Sequence, residues 1–153
     1  MNSTAQHIEA RLSPPDLAMD IPERSLDPEG IREAVSLLMA RGELDLAGEM
    51  SDLARMIHPN NESIWAISAL VAEVMQDWLK AHALLTRLRQ LQGNNVTAET
   101  YRHHIRVLRC LGSDFIALSL VRTALNRYPS DASLQDELEA LLTLLKTSSD
   151  SLV

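Results

Sequence analysis

Residues 98–129 read AETYRHHIRVLRCLGSDFIALSLVRTALNRYP, and residues 28–59 read PEGIREAVSLLMARGELDLAGEMSDLARMIHP. Superposed at an offset of 70, the two segments agree where backbone geometry is most constrained. Gly42 falls on Gly112, Ala47 on Ala117, Ala54 on Ala124 and Pro59 on Pro129. Glycine supplies the positive φ that ends a helix. Alanine lets two helices approach closely, and proline cannot continue a helix and fixes its exit. Ahead of Gly42, the apolar residues Ile31, Ala34, Val35, Leu38 and Met39 recur at helical spacing. Each segment is therefore a helix–turn–helix unit, and one further unit of about 34 residues fits between them. Such units cannot bury their apolar faces alone and stack into a solenoid.

Working outward, the punctuation predicts seven helices. Asp27 caps the first, with Pro28 in the tolerated first-turn position. The second runs from about Glu43 to Ile57. Asn61 or Ser63 caps a third through Met75, and a fourth runs from the Gln76-Asp77 turn to Leu91. Thr97 caps a fifth from Ala98 to Leu111. A sixth starts at Asp114, and Ser130 or Asp131 caps a last helix to about Leu145. In that last helix Leu134, Leu138, Leu141, Leu142 and Leu145 are expected to close the stack, with Asp136, Glu137 and Glu139 toward solvent. Residues 1–27 lack the pattern. Ser3 to Leu12 has the composition of a short helix, but Pro14, Pro15 and Pro22 interrupt the rest of this stretch. The expected organisation is an extended leader over 1–27, a repeat domain over 28–146 and a frayed tail over 147–153. The leader is expected either to be cut first by proteases or to fold over the concave groove of the solenoid.

Composition bounds the function. A chain of 153 residues suits one domain and buries roughly 70% of its unfolded surface without disulfides or metal. It has one cysteine, Cys110, in keeping with a reducing compartment. No run approaches the roughly 18 apolar residues of a membrane span, and Met1 to Leu12 does not read as a signal peptide. These features point to the cytoplasm. A net charge of −7 and 3% aromatic content disfavour nucleic-acid binding.

The spacing of glycine, alanine and proline resembles the tetratricopeptide repeat family over Pro28 to Leu145. The first repeat supplies Ile31, Gly42, Ala47, Ala54 and Pro59. The second supplies Trp65, Ala69, Ala81 and Leu85, and the third Tyr101, Gly112, Ala117, Ala124 and Pro129. The resemblance implies an all-α, right-handed helical solenoid of three repeats plus a capping helix. Departures fall at Val35 and Ile105, which fill a usually small site. Leu88 and Gly93 stand in the second repeat in place of an alanine and a proline.

Little in the chain has the pattern of catalysis. Adjacent His103 and His104 point about 100° apart on a helix and cannot share a metal well; no third ligand stands near His103 and Cys110. His7, His58 and His82 are scattered. Cys110, near a helix C-terminus where the dipole disfavours a thiolate, reads as a small buried residue. Phosphate loops, nucleophile elbows and zinc spacings are missing from the sequence. No catalytic residue, metal or cofactor is expected.

The resemblance implies instead a concave groove lined by the first helix of each repeat. In its register the groove residues are Arg32 and Met39, then Ala66, Leu70 and Val74, then Arg102, Arg106 and Arg109. Glu29, Ser36 and Ala40, Ser63 and Glu73, and Glu99 and Cys110 fill the remaining positions. The three later arginines share one helix face opposite Tyr101, Ile105 and Leu108. Residues 98–129 carry five arginines against Glu99 and Asp114, a net of +3, leaving −10 elsewhere. The arginines either recognise acidic groups on a partner or neutralise acidic neighbours within the chain. An apolar floor with a basic end suits a partner helix or extended segment. It lacks the Lys/Asn set that the family uses to clamp heat-shock-protein tails. Size, charge and repeat count are similar to those of bacterial type III secretion chaperones. A general scaffold or regulatory adaptor is the alternative. An uncovered apolar groove also makes a homo-oligomer plausible.

Overall fold

The computed structural model describes residues 27–152, and the leader lies outside them except for Asp27. The described residues form seven α-helices and no strand. They are α1 (Pro28–Ala40), α2 (Leu44–Ile57), α3 (Glu62–Val74), α4 (Trp78–Gln92), α5 (Ala98–Cys110), α6 (Asp114–Arg127) and α7 (Ala132–Asp150). A short 3-10 turn, Gly93–Asn95, comes after α4. No helix among the described residues is long and apolar enough to cross a membrane.

The helix starts reflect local hydrogen-bond chemistry. Asp27 Oδ1 accepts from Gly30 N at 2.6 Å, and Asn61 and Thr97 accept from Ile64 N and Thr100 N at 3.1 Å each. Asp77 and Asp131 do the same for α4 and α7. Each cap satisfies a first-turn amide that has no intrahelical partner. Gly42 and Gly112 end their helices at φ of 75° and 72°; the second repeat places Gln76 at the same point, at φ 59°. Gly93 also takes a positive φ, 56°, where α4 gives way to the 3-10 turn.

Packing is sequential, each helix lying mainly on its neighbours in the chain, with α1 also on α3. Ala47, Ala81 and Ala117 are fully buried, as the repeat register requires. Val35 and Ile105, in the sites where a small residue was expected, are fully buried too. Three apolar clusters run through the stack; one of them joins α3 and α4 to Val107 of α5, so no repeat has a core of its own. The repeat boundaries are stitched by side chains that reach back to proline carbonyls. Trp65 Nε1 donates to Pro59 O at 2.9 Å, and Gln135 Nε2 donates to Pro129 O at 2.8 Å.

The C-terminal end departs from the sequence expectation. Helix α7 runs on to Asp150, so residues 147–150 of the expected tail are helical. Leu134 and Leu141 are fully buried and Leu138 packs against them, but Leu142 faces solvent at 43% exposure. Glu137, placed on the solvent side from sequence, turns instead toward α5.

Candidate functional site

Helices α1, α3 and α5 line a cavity of about 430 Å3 on the concave side. It brings together Arg32 from α1, Ala66 and Leu70 from α3, and Arg102 and Arg106 from α5, five of the eight groove residues read from sequence. Arg109 lies farther along, beside a second space of about 430 Å3 that it shares with Arg106, Cys110 and Leu144. Met39 and Val74 line neither: Met39 packs against the first core cluster, while Val74 is solvent-exposed beyond the cavity. Cys110 is exposed rather than buried, because it continues the arginine face round the last turn of α5.

The arginines are not free charges. Arg106 forms two hydrogen bonds to Glu73 of α3, and Arg102 donates to Asp131, the cap of α7, at 2.6 Å. Arg109 donates to Glu137 of α7 at 2.8 Å. The row therefore ties α5 to the elements on both sides, the neutralising role weighed from sequence. Counting Glu62, Glu99, Glu73 and Asp131 against Arg32, Arg102 and Arg106, the cavity carries no net positive charge. Each guanidinium has five N–H donors, of which these bonds use one or two. Arg32 makes no ion pair among the described residues.

Glu73 is the focus of this network. Burial alone would push its carboxyl up, but the hydrogen bonds from Arg106 and the charges of His103 and Arg106 outweigh it and hold it below the ordinary value. His103 Nε2 lies 2.5 Å from Glu73 Oε2, yet burial dominates and lowers the imidazole below its ordinary value. Behind this, His104 is 2% exposed and its Nε2 sits 2.8 Å from His82 Nδ1. Burial, then the nearby charge of Arg89, pushes His104 down to about 3.

Sequence reasoning missed His103, Thr100 and Gln92 as lining residues and Glu73, Asp131 and Glu137 as counter-ions. Glu73 occupies a groove position in the repeat register, which was a signal. Gln92 had none, since it enters only because α4 runs on into the 3-10 turn. No group of three or more potential metal ligands occurs among the described residues.

No protein-family model matches the sequence, and no curated protein matches it. Solved structures do match in shape. The first tetratricopeptide domain of human RPAP3 superposes with a TM-score of 0.70 at 15% identity, over 84% of this chain and 98% of that one. The first such domain of Spaghetti (RPAP3), bound to the HSP90 peptide SRMEEVD, gives 0.69 at 16% identity, over 80% and 95%. The Sgt2 domain from Aspergillus fumigatus gives 0.69 at 12% identity, over 80% and 82%. At these identities the likeness is one of architecture: the chain has the tetratricopeptide-repeat fold, a helical solenoid of three repeats closed by a seventh helix.

Proposed function

We propose that this chain is a protein-binding module that holds a partner helix or extended segment in its concave groove, acting as a chaperone for export-destined proteins. The observation that carries the binding role is the cavity itself, in which an apolar floor of Ala66 and Leu70 lies between Arg32 on one wall and Arg102 and Arg106 on the other. Apolar floors with a few convergent polar groups are how peptide grooves combine affinity with orientation. The structurally similar domain of Spaghetti (RPAP3) is bound to an HSP90 peptide, SRMEEVD, that carries three acidic side chains. Here the unused donors of the arginines and the unpaired Arg32 are the groups to meet acidic side chains of a partner. The chaperone part of the proposal rests on small size, acidic charge and repeat number. In this role the chain works in the cytoplasm.

The test starts from the partner that co-purifies from the native cell. Leu70→Asp and Arg32→Glu each alter the groove without breaking an internal ion pair. Each is expected to weaken that partner's binding by roughly tenfold or more while the melting temperature stays unchanged. Unchanged affinity in both variants would remove the groove from the interaction. Recovery of several soluble enzymes, rather than one aggregation-prone export substrate, would replace the chaperone with a scaffold.

A further inference from the structure

One buried amide beside the concave cavity has no partner in the fold. Gln92, the last residue of α4, is 9% exposed and lines the cavity together with Leu88, one turn earlier on the same helix. Its Oε1 is buried without a hydrogen-bond partner, and its Nε2 makes no hydrogen bond among the described residues. Leaving such a group unpaired opposes folding, and buried polar groups are almost always paired.

The repeat pattern does not require this amide. Counted from the buried alanines Ala47, Ala81 and Ala117, α4 continues one residue farther than α2 and α6 and passes into the 3-10 turn Gly93–Asn95. The places that match Gln92 fall on His58 and Tyr128, which follow α2 and α6. Tyr128 donates its hydroxyl to Val96 O at 2.6 Å, so its polar end is satisfied within the chain. The irregular end of α4 is what sets a spare amide beside the groove.

Hydrogen-bond chemistry narrows what could complete it. An α-helix satisfies its own backbone N–H groups and offers a groove little besides side chains. An extended segment carries backbone N–H groups that have no partner within the segment. The terminal torsion of glutamine is soft, so the amide oxygen can turn toward a donor in the cavity. Glu62 and Glu99, in the first turns of α3 and α5, line the same cavity and make no ion pair or side-chain hydrogen bond among the described residues. Spare acceptors therefore line this cavity in more than one place, as a chain presenting N–H donors requires.

We infer that Gln92 is a specificity-determining residue of the groove: it accepts a hydrogen bond from a backbone N–H of the partner and so selects an extended segment over a helix. This rests on the peptide-binding role proposed above. The probe is a peptide selected against the full chain from a random-peptide phage library, and kept only if Leu70→Asp abolishes its binding. Each backbone N–H of the peptide is then removed in turn by N-methylation, which leaves the side chains unchanged. At one position the change is expected to weaken binding to the parent chain roughly tenfold, and to weaken binding to Gln92→Met by roughly twofold or less. Gln92→Met is expected to melt at or above the parent's temperature, because it removes an unpaired buried amide at nearly constant shape. Equal losses in both proteins along the whole scan would overturn the inference and leave the proposed function standing. So would selected peptides whose carbon chemical shifts in the complex are helical. A Gln92→Met variant that melts well below the parent would overturn it by making the amide a structural member of the fold. If no selected peptide is lost on Leu70→Asp, the groove is not a peptide site, and the inference fails together with the proposed function.

Discussion

Arg106 on α5 grips Glu73 on α3 across the repeat boundary, with Nε 2.5 Å from Oε1 and Nη2 2.9 Å from Oε2. The two-pronged geometry suits a planar guanidinium and a carboxylate, and adds orientation to attraction. Glu73 is only 14% exposed, whereas Arg106 is 53% exposed, so solvent screens one end of the pair. A double-mutant cycle of Arg106→Ala and Glu73→Ala, monitored by urea unfolding, is expected to give a coupling energy of about 1 kcal/mol. The coupling should shrink in 1 M salt. A coupling near zero would mean that the arginine is held loosely and stands free for a partner.

This pair also shows what the sequence could and could not convey. Gly42, Gly112, Pro59 and Pro129 mark helix ends through their own backbone chemistry, so the repeat register and six of the seven helix ends were legible to within a residue or two. Spacing put Arg102, Arg106 and Arg109 on one face of α5, and the register implied by the resemblance assigned that face to the groove. The counter-ions did not, because Glu73 and Arg106 are 33 residues apart and their meeting depends on how two repeats stack. From sequence alone Arg106→Glu looks like a neutral surface change; in the structure it sets two carboxylates against each other. Glu137 was misplaced because the charge pattern of α7 does not reveal that Arg109 stands opposite. The end of α7 was missed because residues 147–150 are polar and carry no apolar period.

Gln76 holds a left-handed conformation, φ 59°, in the turn where the other two repeats use glycine. A side chain there costs on the order of 1 kcal/mol. Its substitution by glycine removes that strain and loses part of the gain to the greater freedom of the unfolded chain. Gln76→Gly is expected to raise stability by about 0.5 kcal/mol, read as a higher urea midpoint at unchanged slope. A lower midpoint would show that the exposed Gln76 side chain makes a contact that outweighs the strain.

Acid should destabilise the fold from neutral pH downward, through the histidines first. The value for His104 is depressed from 6.5 to about 3 by burial. Between those two values the unfolded chain takes up a proton that the folded chain refuses, so stability is full above about 6.5 and falls as pH drops toward 3. The loss is about 1.4 kcal/mol for each pH unit within the window. His103, also depressed, acts in the same direction. Glu73 adds a later loss, because its lowered carboxyl stabilises the fold only while ionised. Unfolding free energies measured from pH 7 to pH 5 should decline in the parent chain. They should decline less steeply in His104→Leu, which removes the titrating group. Parallel profiles would exonerate His104.

Gly48 sits in the interior of α2, next to the fully buried Ala47, in a part of the helix that needs no positive φ. Its buried position suggests that the helices would clash if it carried a side chain, but the geometry says otherwise. A Cβ added there would meet the sulfur of Met75 at 3.5 Å, an ordinary van der Waals distance, against the end of a flexible side chain. The glycine therefore keeps the backbone-entropy cost of its type without a packing benefit that alanine would forfeit. Gly48→Ala is expected to stabilise the protein by about 0.5–1 kcal/mol, the difference in helix propensity between the two residues. Thermal unfolding monitored by circular dichroism at 222 nm reads this as a rise in melting temperature of a few degrees. A fall would show that α2 and α3 sit closer than this contact allows and that Gly48, like Ala47, is a true close-approach site.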